Sequence, residues 1–410
     1  MEAVLLVIRL STGLFVSAAW AQPTDASTDA STPRAPSLNL RVYPFDVWGP
    51  VAGWGVGAGV VVHNGVRRGD QWLLTAAPAT HERVATLSFA SASPLEATTY
   101  VLIDGRARTT DRQRFYGLGP GTQDDTRLHV TMDELWLRMR AGHGWRDRTL
   151  LLQPMLMLRR HAVRDVEVGE GRPFRGASAT HFSAPLLASD RTLWGMQGGI
   201  RLAYDTRDRF RGTTRGLLVQ ASGSGYNELS TGNVQVGRLT FGAYGFLPLG
   251  GDHRLALRFQ TTMSNSFGDD TAPFYLRPKL GGRSVPGLDH DRFFGADRVV
   301  TSVLYRFPLI RLRDLFELEG HVGAHAASVY DDLSEQFALD LSFDEQVQAD
   351  DSVPLRPALS TGVRLGPLFR DETYFDLAMG ISPEGVTGVR LQFIRPFSSV
   401  RPPHHNGATW

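Results

Sequence analysis

The sequence predicts an all-β chain of about sixteen long antiparallel strands, and three observations carry that reading. Apolar and polar residues alternate with a period of two along most of the chain, which sends them to opposite faces of a strand. Amphipathic helices of comparable clarity are missing, because 43 Gly and 23 Pro among 410 residues break nearly every longer segment. The candidate strands run about 9–13 residues, against ~5–6 in soluble sheets and ~9–11 for a strand that crosses a bilayer. That length and the even count favour a transmembrane β-barrel over a sandwich or propeller. Alternation alone does not say whether the apolar row faces out or in.

The elements follow in order. Residues 4–19 are mostly apolar with Arg9 the one charge, and Ala19-Trp20-Ala21 reads as a small-x-small cleavage site. Residues 1–21 are therefore expected to be a signal peptide for export, the apolar run being shorter than the ~20 residues of a spanning helix. Residues 22–40 are polar, with the tetrapeptide DAST at 25–28 and again at 29–32. Too little apolar surface is available there to fold, so a flexible periplasmic lead is expected. The barrel is expected over 41–397, with strands at 51–62, 70–79, 82–91, 97–106, 133–140, 148–160, 194–204, 214–223, 233–245, 253–263, 274–280, 297–307, 314–325, 354–366, 371–381 and 386–397. The clearest is 253–263, where Leu255, Leu257, Phe259, Thr261 and Met263 alternate with Arg254, Ala256, Arg258, Gln260 and Thr262. In 133–140, Leu135, Leu137 and Met139 alternate with Glu134, Trp136, Arg138 and Arg140. Residues 398–410 read as a Pro-rich tail that includes His404 and His405.

Composition excludes several classes of function. Forty-three Lys and Arg against 42 Asp and Glu leave a net charge of +1, without the basic excess of a nucleic-acid binder. The absence of cysteine rules out disulfides, thiol catalysis and Cys-ligated metal. His181 and Ser183 lack an activated-nucleophile motif, so no enzyme is expected. Asp205, Arg207 and Asp208 read as an exposed, ion-paired turn rather than a cation site. Asp331, Asp332, Glu335, Asp340, Asp344, Glu345, Asp350 and Asp351 lack calcium-loop spacing and read as a solvated acidic loop. No cofactor or metal is expected.

Five fragments stand in a telling order. Pro44-x-x-x-Trp48-Gly49-Pro50 leads into Gly53, Gly55, Gly57 and Gly59, and Phe115-Tyr116-Gly117-Leu118-Gly119 follows. Tyr204-Asp205-Thr206-Arg207-Asp208 precedes Thr214-Arg215-Gly216. Then come Leu280-Gly281-Gly282-Arg283-Ser284-Val285-Pro286-Gly287-Leu288 with Arg292-Phe293-Phe294-Gly295, and Tyr305-Arg306-Phe307-Pro308-Leu309. Over roughly 43–397 these fragments resemble the barrel domain of the BamA/TamA family of outer-membrane assembly proteins, the bacterial surface antigen barrel.

The resemblance implies a cell outer-membrane location, outer-membrane lipid and unfolded outer-membrane proteins as partners, and a monomeric barrel. It implies an extracellular loop folded into the lumen, carrying Gly281, Gly282, Arg283, Val285, Pro286, Gly287 and Arg292. It also implies a weak seam between first and last strands, for which Gly53, Gly55, Gly57, Gly59 and Gly388 are the candidates. Family loops carry Val-Arg-Gly-Phe/Tyr, whose arginine meets an acid on the wall; here Pro286 holds the arginine position and His325 the acid's. Arg283 or Arg292 is then expected to substitute, with Glu317 or Glu319 as acceptor. Only residues 22–37 lie where the family's periplasmic POTRA repeats stand. The expected function is insertion, assembly or translocation of proteins at the outer membrane; the alternative is a passive pore or display barrel. Sixteen such strands would put 281–296 and 326–353 outside but 109–129 and 161–193 on the periplasmic side, where turns are usually short.

Overall fold

The alternation resolves into an apolar outer face and a polar inner one. This computed structural model describes residues 39–49, 52–64, 70–91, 98–122, 127–146, 149–168, 172–173, 192–208, 213–282, 284–312, 316–344, 352–367 and 375–393. The chain divides into two units, Met1–Ser37 and Leu38–Trp410, and the described residues belong to the second. The segments expected as signal peptide and tail, with His181, Ser183, Arg283, His404 and His405, lie outside the described residues.

Sixteen wall strands follow one another: β1 Asn39–Gly49, β2 Gly53–His63, β3 Gln71–Pro78, β4 Glu82–Ala90, β5 Thr99–Phe115, β6 Leu128–Trp145, β7 Leu150–Val168 and β8 Thr192–Asp205. Then come β9 Gly216–Glu228, β10 Gln235–Gly250, β11 His253–Ser266, β12 Asp297–Leu312, β13 Phe316–Tyr330, β14 Val353–Pro367, β15 Phe375–Ser382 and β16 Gly385–Phe393. Each pairs antiparallel with its sequence neighbours. Among the described residues no ladder joins β1 to β16, so the sheet is not closed, although the two strands come within 8 Å between Cα atoms.

The count of sixteen agrees with the sequence, but the membership differs in two places. Residues 39–49 form a strand, so the Gly-rich 53–63 is the second strand rather than the first. Residues 274–280 are not a wall strand; they form a 3-10 turn at Phe274–Leu276 and a two-residue strand, Lys279–Leu280, inside a long connection. Pro273 and Pro278 bracket the turn and stop a ladder from forming. The two differences cancel in the total, yet the added first strand reverses the direction of every strand before residue 274. All four long connections, 116–127, 169–191, 267–296 and 331–352, therefore leave from the same end of the sheet. The connections at the other end are all ten residues or shorter. This is the turn asymmetry of a single-chain outer-membrane barrel, and it corrects the expected periplasmic placing of 109–129 and 161–193.

Which row faces lipid is clear from β6, where Leu135, Leu137 and Met139 are about half exposed while Arg138 and Arg140 are 8% and 2% exposed. A soluble barrel would bury the apolar row. On β8 the exposed row reads Trp194, Met196, Gly198, Ile200, Leu202 and Tyr204, aromatic at both ends. Ten residues at ~3.4 Å each, tilted ~40°, make a belt about 25 Å tall, the height of the apolar band between aromatic girdles in outer-membrane barrels.

Candidate functional site

The connection between β11 and β12 turns back on itself. Lys279 and Leu280 pair with Phe294 and Phe293, closing a small hairpin whose tip spans 281–292. Leu280, Val285, Leu288 and Phe293 of this loop form one buried cluster with Val300 of β12, Ala327 and Val329 of β13 and Ala358 of β14. Phe274 and Phe294 pack into a second cluster with Phe115, Leu128, Val130, Met132 and Val163 of β5, β6 and β7. The loop thus packs on β12 and reaches past its own strands to brace two further parts of the wall, β13–β14 and β5–β7, from inside. Gly287 makes the inner contact, at φ +110° on the tip. A Cβ there would stand 2.9 Å from both the Ala358 Cβ and the Ile381 carbonyl oxygen. Facing it, a Cβ on Gly380 of β15 would stand 2.2 Å from the Gly287 nitrogen. Only two glycines allow the backbones to approach so closely.

The Arg292 side chain, 4% exposed, is the polar centre of the loop. Its Nε donates to Glu384 Oε2 at 3.1 Å, and its two terminal nitrogens donate to Thr122 Oγ1 (3.0 Å) and the Thr122 carbonyl (2.8 Å). The guanidinium lies over the rings of Tyr116 (4.7 Å) and Phe293 (4.4 Å). Arg356 of β14 covers Phe293 at 4.5 Å, donates to the Pro120 carbonyl at 2.7 Å and approaches Glu384 Oε1 at 3.6 Å. Glu384 sits in the two-residue turn between β15 and β16, so the loop holds the turn of the last hairpin. The expected acceptors are engaged elsewhere. Glu317 meets Arg311 (3.4 Å), Glu319 meets Arg254 (3.0 Å), and His325 bridges the hydroxyls of Ser302 and Ser360 at 2.9 Å each. Glu317 and Glu319 stand on the first residues of β13, at the end of the sheet away from the loop.

A second anchor lies at Asp291, whose carboxylate accepts from Gln113 of β5 and from Lys279, both at 2.7 Å. Burial pushes this carboxyl up, but the Lys279 ammonium and His290 beside it hold it below the usual carboxylate range. Asp289 takes Arg114 at 3.0 Å. The Phe115-Tyr116-Gly117-Leu118-Gly119 element is the floor beneath the loop, its Gly119 amide donating to the Phe294 carbonyl at 2.7 Å. Val285 is fully buried and Pro286 half-buried at the tip, while Gly281 and Gly282 turn its start. Away from the site, Arg207 pairs with Asp205 at 2.7 Å and Asp208 accepts from the Thr214 and Arg215 amides, so the turn is ion-paired as expected, but the Arg207 side chain is 6% exposed rather than open to solvent.

The edge is placed differently from expectation. Gly53, Gly55, Gly57 and Gly59 lie on β2, laddered to β1 along its whole length and to β3 from Ala58 onward, so they are not at the free edge. Gly55 instead admits the turn after β3: a Cβ there would lie 2.2 Å from the Pro78 carbonyl oxygen. Gly388 does lie on the last strand, inside a register shift against β15. Near the edge β2, β3 and β4 run 8–11 residues, whereas β5–β14 run 13–19.

Residues 172–365, from the end of the β7–β8 connection's first part through β14, match the Omp85 superfamily domain. The wall is similar to the crystal structure of BamA from Haemophilus ducreyi lacking POTRA domains 1–3 (TM-score 0.56, 15% identity, covering 88% of this chain and 69% of that one). It is also similar to CdiB from Escherichia coli (TM-score 0.52, 11% identity, 89% and 62%) and CdiB from Acinetobacter baumannii (0.50, 11%, 87% and 60%). The chain spans less than two thirds of either CdiB. No curated protein sequence matches. The Omp85 domain bears out the resemblance read in the motifs, and with the apolar outer face it makes the chain an outer-membrane β-barrel protein.

Proposed function

We propose that this chain assists the insertion, assembly or translocation of proteins at the outer membrane, the free edges of β1 and β16 acting as a template for client strands. The observation that carries the reading is the unjoined pair of edges, β1 and β16, beside the short strands β2–β4. Unpaired backbone N–H and C=O groups are costly in hydrocarbon, each by several kcal/mol, and an incoming strand satisfies them by edge pairing. β3 and β4, at 8 and 9 residues, lie at the lower limit of the ~9–11 residues of a bilayer-crossing strand, which favours a thinner bilayer beside them. Arg292, gripping Glu384 from the lumen, holds the last hairpin at its rim. The action is noncovalent and needs no cofactor, and the protein works as a monomer against outer-membrane lipid.

A second reading, a passive pore or display barrel, rests on Pro286 at the place of the family's loop arginine. The test is the folding rate of an unrelated outer-membrane barrel into liposomes containing this protein. The expected result is faster client folding, abolished when single cysteines placed on β1 and β16 are oxidised together; the native chain has no cysteine to interfere. An unchanged rate, with the barrel intact by heat-modifiable migration, would favour the passive reading.

A further inference from the structure

The lumen is lined by arginines that are compensated unequally. On β4–β6 each has a carboxylate: Arg106 and Arg108 take Glu82 at 3.2 Å each, and Arg138 and Arg140 take Asp104. Four further arginines, on β8, β10, β11 and β12, donate to neutral acceptors. Arg201 donates to Gln220 Oε1, Arg238 to the Leu276 carbonyl and Arg298 to the Lys279 carbonyl, while Arg258 donates to the Ser284 carbonyl and Gln260 Oε1. Arg159 makes no side-chain hydrogen bond among the described residues; the carboxylate that acts on it, Glu134, also acts on Arg106 and Arg108.

Arg159 and Arg238 face one another across a small cavity also lined by Gln197, Ser224, Tyr226, Val236 and Leu276. The Nε atoms of both arginines and the Tyr226 hydroxyl are buried without a hydrogen-bond partner. Ser224 Oγ already accepts from Gln197 at 3.0 Å, which leaves its proton free to donate into the same space. The donors therefore converge with two positive charges in a cavity that no carboxylate lines, Glu134 acting on Arg159 and Glu228 on Tyr226 from beyond the lining. Buried charge of this kind is costly unless it is paired, and the space, about 10 Å³, suits one particle of roughly water size.

We propose that a single small inorganic anion of the halide class binds here, between Arg159 and Arg238, with the Tyr226 and Ser224 hydroxyls completing its shell. The inference is independent of any insertase role.

The test uses the full chain folded in detergent, with chloride replaced by gluconate at constant ionic strength. Chloride is expected to raise the unfolding temperature saturably by a few degrees over gluconate, the signature of a ligand that binds only the folded state. The double variant Arg159→Gln with Arg238→Gln is expected to stay folded, because glutamine is neutral and keeps hydrogen-bonding capacity at both positions, and to lose the chloride response. A response equal in both proteins, or none in the native chain, would overturn the proposal. Bromide anomalous scattering from crystals of the native chain gives a second readout: a peak between the two guanidinium groups is expected, and an empty site would overturn the proposal without reference to any variant.

Discussion

Between β5 and β14 the wall is tall and charged inside; at β2–β4, beside the open edge, it is short and carries less charge, with Glu82 of β4 taking Arg106 and Arg108 of β5. The tall arc carries Asp104 between Arg138 and Arg140, receives both apolar faces of the lumenal loop, and takes the Asp291 and Asp289 anchors on β5. The short arc offers the hydroxyl pair Thr75–Thr86 and a small cluster around Val61, Leu73 and Ala90. Its rim is fastened through Glu384. The difference teaches that charge is buried where the ladder is continuous on both sides. The edge at β1 and β16 has no ladder between them and one grip at the rim, Arg292 on Glu384.

The comparison is broken most directly by removing charge from the tall arc. Asp104→Asn leaves Arg138 and Arg140 without that carboxylate and should cost about 3–5 kcal/mol, whereas Thr75→Val in the short arc should cost about 1 kcal/mol. Urea unfolding of the folded barrel measures both, and equal costs would erase the distinction. Next comes the rim. A double-mutant cycle of Arg292→Gln and Glu384→Gln should show coupling of about 1–3 kcal/mol, and the same cycle with Glu319→Gln in place of Glu384→Gln should show none. Coupling to Glu319 would mean that the loop grips β13 instead of the last hairpin.

The smallest effect is the acid dependence of the loop anchor. Because the folded Asp291 carboxyl is held low by Lys279 and His290, its contribution is present above its unfolded value near ~3.9. It is lost as pH falls from there through the folded value. Asp291→Asn, which suits the left-handed backbone at φ +54°, should leave stability near neutrality lower and flatten the acid limb below about pH 4. Parallel thermal unfolding curves of the two proteins between pH 3 and 7 check this, and an unaltered acid limb would remove Asp291 from the account.

Much of the wall was legible because lipid and lumen impose opposite polarity on successive residues, and β6, β8 and β11 keep that alternation almost unbroken. The first strand was missed because Pro44 and Asp46 interrupt its pattern. Pro44, opposite Ala58, is tolerated because β1 has a free side where a missing N–H costs no ladder bond. Residues 274–280 misled in the opposite sense, since Phe274 and Leu276 are apolar for the loop's own core rather than for lipid. The loop motif and Arg292 were readable as a site, but the partner was not. Glu384, in Ser382-Pro383-Glu384-Gly385, looks like any solvated turn acid, and only the folding of the loop across the lumen brings it to an arginine 92 positions earlier. Tyr116 and Thr122 gave no signal of that contact beyond the aromatic-glycine element beside them.

Native-state hydrogen exchange in lipid, read strand by strand, tests the central claim that a braced arc is joined to an openable edge. The account predicts that amides of β1 and β16 exchange orders of magnitude faster than those of β6 and β7, and that Glu384→Gln speeds β16 while leaving β6 unchanged. Uniform protection around the barrel would contradict it.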